Sequence, residues 1–148
     1  MPNSPVIVAL IAFSVLSCIF AFIRGAEPER IGAGVIFANL LLTLGGQAFI
    51  PEPETAFSVA QLTLDAVTAL ALLVLAVRYA SLWLGAVMML YALQFALHAF
   101  YSVTERPRDM LHAIVNNVDF FAVSLCLVIG TAASWRRRVR AASRPASA

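Results

Sequence analysis

The stretch LDAVTALALLVLAVRYASLWLGAVMMLYALQFALHAF (64–100) decides the fold. Read with its flanks as one helix from 56 to 102, it would be about 70 Å long at 1.5 Å per residue. That is more than twice the hydrocarbon thickness of a bilayer. The chain must therefore turn, and the place is Arg78–Ser81, where AVRYASLWLG (76–85) carries its one charge and no proline. The reading gives two antiparallel helices, 56–77 and 80–102. It expects Tyr79 and Trp83 at the membrane–water interface, where amphipathic rings settle.

Three more apolar stretches lie outside this hairpin, at 5–23, 31–50 and 110–134. Each is near the ~20 residues that a helix needs to cross hydrocarbon. Helices are the natural choice, because an open sheet would leave backbone groups unpaired in lipid. The connections carry breakers: AEPER (26–30), PEPET (51–55) and TERPRD (104–109). Thr55 and Asp109 are the expected caps of the helices that follow the last two.

Composition agrees. The chain has 148 residues, 61% hydrophobic and only 12% charged, and a mean hydropathy of +0.89. A soluble domain carries about a quarter charged residues, so lipid must be the main solvent here. No separate soluble domain fits. The expected fold is all-α, an integral membrane bundle of five transmembrane helices in one domain over 1–138. A disordered, basic cytoplasmic tail is expected over 139–148. The opening MPNSPVIVALIAFSVLSCIFAFIRG lacks a basic n-region, and Arg24 follows the apolar run. That polarity is wrong for a cleaved signal, so 5–23 reads as a retained helix.

Orientation follows from the ten basic residues, all arginine. With the N-terminus outside, Arg24, Arg30, Arg78, Arg136, Arg137, Arg138, Arg140 and Arg144 fall in the cytoplasm. Only Arg106 and Arg108 fall outside. The positive-inside rule then favours N-out and C-in, with Arg136, Arg137, Arg138 and Arg140 as the topology anchor and the bacterial inner membrane as the compartment. The net charge of +2 is small and concentrated in this juxtamembrane run. Nucleic acid is excluded as a partner; the bilayer is the expected one.

The polar residues inside the apolar stretches share one half of the membrane. Asn39, Thr43 and Gln47 belong to the second helix, and Gln61, Asp65 and Thr68 stand at i, i+4 and i+7 on the third. Tyr91, Gln94, His98 and Tyr101 share a face of the fourth, and His112, Asn116 and Asp119 a face of the fifth. The other halves, LALLVLAV (70–77), LWLGAVMML (82–90) and FAVSLCLVIG (121–130), read as apolar. Counted from the outer helix ends, Asp65 and Asp119 are each about 14 Å deep, and His98 and His112 only about 3–6 Å. Two ionised carboxylates at mid-depth facing lipid would each cost about 2.5–3.5 kcal/mol. The expectation is an outward-open polar pocket lined by Gln61, Asp65, Gln94, His98, His112, Asn116 and Asp119, with the carboxyls at its floor and the imidazoles at its mouth. The blander alternative is that these groups hydrogen-bond between helices and hold the bundle together.

Other chemistries find less support. Cys18 and Cys126 stand in no CxxC or CxxCH and read as small apolar side chains. There is no GxSxG and no glycine-rich phosphate loop. His98 and His112 are weak candidates for a metal or haem iron, because no HxxxH, HExxH or ExxH spacing exists and the His and Asp levels differ in depth. Gly34–Ala38 and Ala92–Ala96 have the small-xxx-small spacing that lets helices approach closely. The sequence names no cofactor.

The segments PERIGAGVIFANLLLT (28–43), LDAVTALALLVLAVRYASLW (64–83), LQFALHAF (93–100) and LVIGTAASWRRR (127–138) resemble a group of small polytopic inner-membrane proteins of alphaproteobacteria with no established activity. The resemblance implies the compartment and the helix count, and it carries over no catalytic residue. Asp65 and His98 match the group's pattern, and the pair Asn116–Asn117 departs from it.

The expected function is non-enzymatic: an accessory or assembly subunit, or a small-ligand binder, with a periplasm-facing polar pocket. It acts through self-association or within a larger membrane complex. The alternatives are a small transporter or proton-coupled permeation unit using Asp65 and Asp119, and a haem or metal protein using His98 and His112.

Overall fold

The computed structural model describes residues 5–49, 54–104 and 109–143, with the side chains of 47–49 and 54–58 outside that set. Gln47, the capping role of Thr55, and Arg106, Arg108 and Arg144 fall outside it. Among the described residues there are five α-helices and no strand. They are α1 (Pro5–Arg24), α2 (Glu27–Phe49), α3 (Glu54–Tyr79), α4 (Leu82–Val103) and α5 (Met110–Ala142). Four segments are long and apolar enough to cross a membrane: α1, Val59–Tyr79 of α3, α4 and α5.

The hairpin that the sequence required is present. α3 ends with Ala80 at φ 46°, in the left-handed region. The Ala80 N–H donates to the Val77 carbonyl at 3.4 Å and the Ser81 N–H to the Ala76 carbonyl at 3.2 Å. This is the paired closure that commonly ends a helix on glycine, made here on alanine. The link from α1 to α2 is shorter than AEPER suggested, only Gly25 and Ala26. Pro28 sits in the first turn of α2, where its missing N–H costs nothing. Glu29, 3% exposed, reaches back to accept the Ala26 N–H at 2.9 Å, one half of a capping box. Asp109 caps α5 as expected, its carboxylate accepting the His112 N–H at 2.9 Å.

The helices form a ring. Each packs on its neighbour in the chain, and α5 closes the ring against α1. The apolar core fills one half of it, with Cys18, Ala21, Ala33, Ile36, Leu72, Leu84, Val87, Val123 and Leu127 buried.

Packing adds to two expectations and corrects a third. Trp83 turns its ring onto the core. Its ring lies over Gly130 of α5 and Gly32 of α2, where an added Cβ would come within 2.6 Å and 2.9 Å of it. Within the chain, close approach uses Gly32 and Gly130; a Cβ on Gly34 would meet nothing, and Ala38 and Ala96 are exposed on the outside of the bundle. The basic tail, expected to be disordered from 139, is helical through Ala142. Alanine and arginine are good helix formers, so WRRRVRAA continues α5 past the apolar segment. At its far end Arg24 stacks over Trp135 at 5.0 Å, and the Arg138 guanidinium donates to the Arg24 carbonyl.

Candidate functional site

The other half of the ring, toward the α2–α3 and α4–α5 connections, holds a half-open cavity of about 200 Å³. Its lining changes character around the ring. α3 and α4 contribute Gln61, Tyr91, Gln94 and His98. α1, across the ring, contributes only Ile7, Leu10 and Ile11. α2 and α5 stand between them and present both kinds: Asn39 and Thr43 beside Leu40 and Leu44, and His112, Asn116 and Asn117 beside Phe120 and Val123. The cavity is therefore polar on its α3–α4 side and apolar on its α1 side.

Helical spacing places these groups. His112, Asn116 and Asp119 follow at steps of four and three on the inward face of α5. The polar side chains then find partners across helices. Asn39 donates to the Thr68 hydroxyl at 2.9 Å, and Gln94 donates to Oδ1 of Asn116 at 3.2 Å. The Gln61 amide is shared between the Thr43 hydroxyl at 3.4 Å and Asp65 Oδ1 at 3.3 Å.

The strongest contact is between Asp65 and His98. Oδ2 of Asp65, whose side chain is 0% exposed, lies 2.6 Å from Nδ1 of His98. The depth estimate from the sequence put these two about 8–11 Å apart along the membrane normal, and this is overturned. Register in an antiparallel pair is set by its tight turn, not by its open ends. Asp65 lies fifteen residues before Ala80 and His98 seventeen after Ser81, so they arrive at one level. With Nδ1 taken by the carboxyl, Nε2 is the ring nitrogen that His98 can offer to the cavity it lines.

The two imidazoles do meet, with ring centroids 5.3 Å apart and planes at 33°. The edge of Tyr101 meets His112 at 4.9 Å, and the Tyr101 hydroxyl donates to Asp109 at 2.6 Å. Rings in near-stacked contact leave no gap for a porphyrin between them, so the geometry does not favour a haem iron clamped by His98 and His112. Among the described residues no three His, Cys, Asp or Glu side chains are grouped to hold a metal.

The carboxyls do not form the cavity floor. Asp65 stands behind His98, and Asp119, 3% exposed, is buried to one side. Neither Asp119 oxygen has a hydrogen-bond partner among the described residues. Asp65 and His98 are near enough to act on Asp119 electrostatically.

The opposite half is also less purely apolar than its sequence suggested. Ser14 and Ser17 of α1 and Ser124 and Thr131 of α5 are buried. Ser17 and Ser124 bond back to their own helices, at the carbonyls of Phe13 (2.7 Å) and Phe120 (3.1 Å). Such back-bonding satisfies a hydroxyl locally.

The α1 wall is the part of the site that the sequence reading missed. A signal for it exists. Ser14, Ser17, Cys18 and Ala21 are buried and small, at the spacing of one helix face. Three, four and seven residues before Ser14, that face carries Ile11, Leu10 and Ile7.

Comparison with protein-family models, with curated proteins and with solved structures finds no match to this chain.

Proposed function

We propose that the protein is a non-enzymatic, multi-pass protein of the bacterial inner membrane whose cavity binds a small ligand, as an accessory or assembly subunit. The observation that carries this reading is the cavity itself: about 200 Å³, graded from apolar to polar, with an imidazole held in place by a withdrawn carboxyl. A ~150 Å³ cavity is large enough to take benzene, so a ligand of single-ring size fits.

In this reading α2 is the fifth crossing. Its central Asn39 is paired with Thr68 inside the ring, so the helix offers lipid no unsatisfied amide there. Its charged groups, Glu27, Glu29 and Arg30, sit in the opening turns. The N-out, C-in orientation rests on the arginine count, and an all-helical span is the inner-membrane type of fold.

The test is native mass spectrometry from lipid nanodiscs, on wild type and on Asn116→Phe and Leu44→Trp, which fill the cavity from α5 and α2. A small molecule retained by wild type and absent from both filled variants supports the reading. A wild type with nothing bound, and filled variants that are simply more stable, would leave the cavity a packing defect.

A second reading, a proton-coupled permeation unit, is favoured by Asp119, a buried carboxyl without a hydrogen-bond partner near the Asp65–His98 pair. It requires Asp65→Asn to abolish flux in proteoliposomes while the protein level is unchanged. It ranks second because Ser17 and Ser124 bond their own helices and do not extend a polar path.

A further inference from the structure

We infer that the ligand is a neutral phenolic head group, a single ring whose hydroxyl donates to Nε2 of His98; the inference rests on the ligand-binding reading of the same cavity. Four observations narrow the chemistry. First, no arginine lines the cavity among the described residues. Among the described residues, a phosphate or carboxylate would find no fixed cation to offset its desolvation.

Second, an organic cation finds no open carboxylate. Asp65 is 0% exposed, covered by His98 and Gln61, and Asp119 does not line the cavity. Among the described residues, nothing in the lining favours a charged occupant over a neutral one.

Third, the Asp65 carboxyl occupies Nδ1 of His98 at 2.6 Å. In the tautomer that carries its proton on Nδ1, Nε2 is an acceptor open to the cavity. An acceptor of this kind selects a ligand with an acidic O–H. A phenol is a better donor than an aliphatic alcohol.

Fourth, the graded lining fits a flat ring with one polar edge. The hydroxyl edge faces Gln94 and His98, and the ring body lies toward Leu10 and Ile11 of α1. Buried hydrogen-bonding groups reject an isostere that lacks the matching donor, because they are then left unpaired.

The phenol could be a free molecule or the head of a lipid-borne quinol. The two share the chemistry and differ in the tail. No electron transfer is part of this inference.

The chain has two histidines, so ¹⁵N-histidine NMR reports on His98 with only His112 beside it. His98 is assigned from His98→Gln or, where that variant does not fold, from His112→Gln. Protein in nanodiscs is titrated with phenol, with toluene as the isostere lacking a donor, and with 4-decylphenol. Phenol is expected to shift the His98 Nε2 resonance and to bind at least tenfold tighter than toluene. Toluene binding as tightly as phenol would overturn the inference and leave the ligand-binding reading intact. Binding of neither would overturn the inference, and the ligand-binding reading would then rest on the native mass spectrometry alone. Tighter binding of 4-decylphenol than of phenol supports a membrane-borne source, and equal binding supports a free one.

Discussion

The carboxyl of Asp65 on α3 meets the ring of His98 on α4 at 2.6 Å, and both belong to one hairpin. Removing one member of such a pair strands the other in a low-dielectric site, whereas removing both need not. Asp65→Leu alone is expected to cost about 3 kcal/mol. Asp65→Leu with His98→Leu should recover most of it. Thermal unfolding in detergent across the double-mutant cycle measures the coupling. Two additive single losses would show that the pair is not an energetic unit.

Gly130 and Trp83 make the closest approach in the core half. A methyl group at Gly130 would sit 2.6 Å from the indole, and an indole cannot fold aside as a flexible chain can. Gly130→Ala should lose about 2 kcal/mol from overpacking, and adding Trp83→Leu should restore part of that loss. Gly34→Ala, where a Cβ meets nothing, should be neutral or gain up to ~1 kcal/mol in helix propensity. Equal effects at the two glycines would contradict the packing described.

Ala80 holds a left-handed conformation with φ 46°. Glycine takes this conformation without the Cβ penalty of about 1 kcal/mol. Ala80→Gly should therefore stabilise the hairpin by up to that amount, and Ala80→Val should weaken it. A melting temperature lowered by the glycine would argue against this turn.

Asp109 gives a pH dependence. The Tyr101 hydroxyl, then the His112 N–H, hold its carboxyl below the usual carboxylate range. A lowered folded pKa means that its cap is present at pH above the ordinary value of about 3.9. The contribution is lost as the pH falls through the lower, folded value. Tyr101→Phe removes the larger of these two effects, so fraying of the first turn of α5 should begin at higher pH than in wild type. Protection of the His112 amide against pH is the readout, and identical profiles would remove Tyr101 from the account.

Topology is checked by paired fusions of alkaline phosphatase and green fluorescent protein. Five crossings with N-out and C-in place Gly25–Ala26, Ala80–Ser81 and the end of α5 in the cytoplasm, and the α4–α5 connection outside. A fluorescent fusion at the α4–α5 connection would reverse the orientation.

Residue chemistry alone made part of this legible. The required turn near Arg78–Ser81, the Asp109 cap and the gathering of polar groups in one half could all be read from spacing and charge. Gln61, Gln94, His98, His112 and Asn116 line one cavity. The contact between Asp65 and His98 was lost because depth was counted from loops of uncertain length, when the tight turn fixed the register. The role of Trp83 was lost because its partners, Gly32 and Gly130, are distant in sequence and have no side chain to announce a contact. The α1 wall was lost because its residues are all apolar, and lipid and cavity accept the same side chains.

The ring closes by joining its last helix to its first, and this sets an order of events during synthesis. Asp65 and His98 both emerge before α5. The carboxyl can therefore find its imidazole while the hairpin is still the leading end of the nascent chain. The cavity has no such early form. It acquires its fifth wall only when α5 comes to rest beside α1, so a chain truncated before α5 would hold the Asp65–His98 pair and lack the finished cavity.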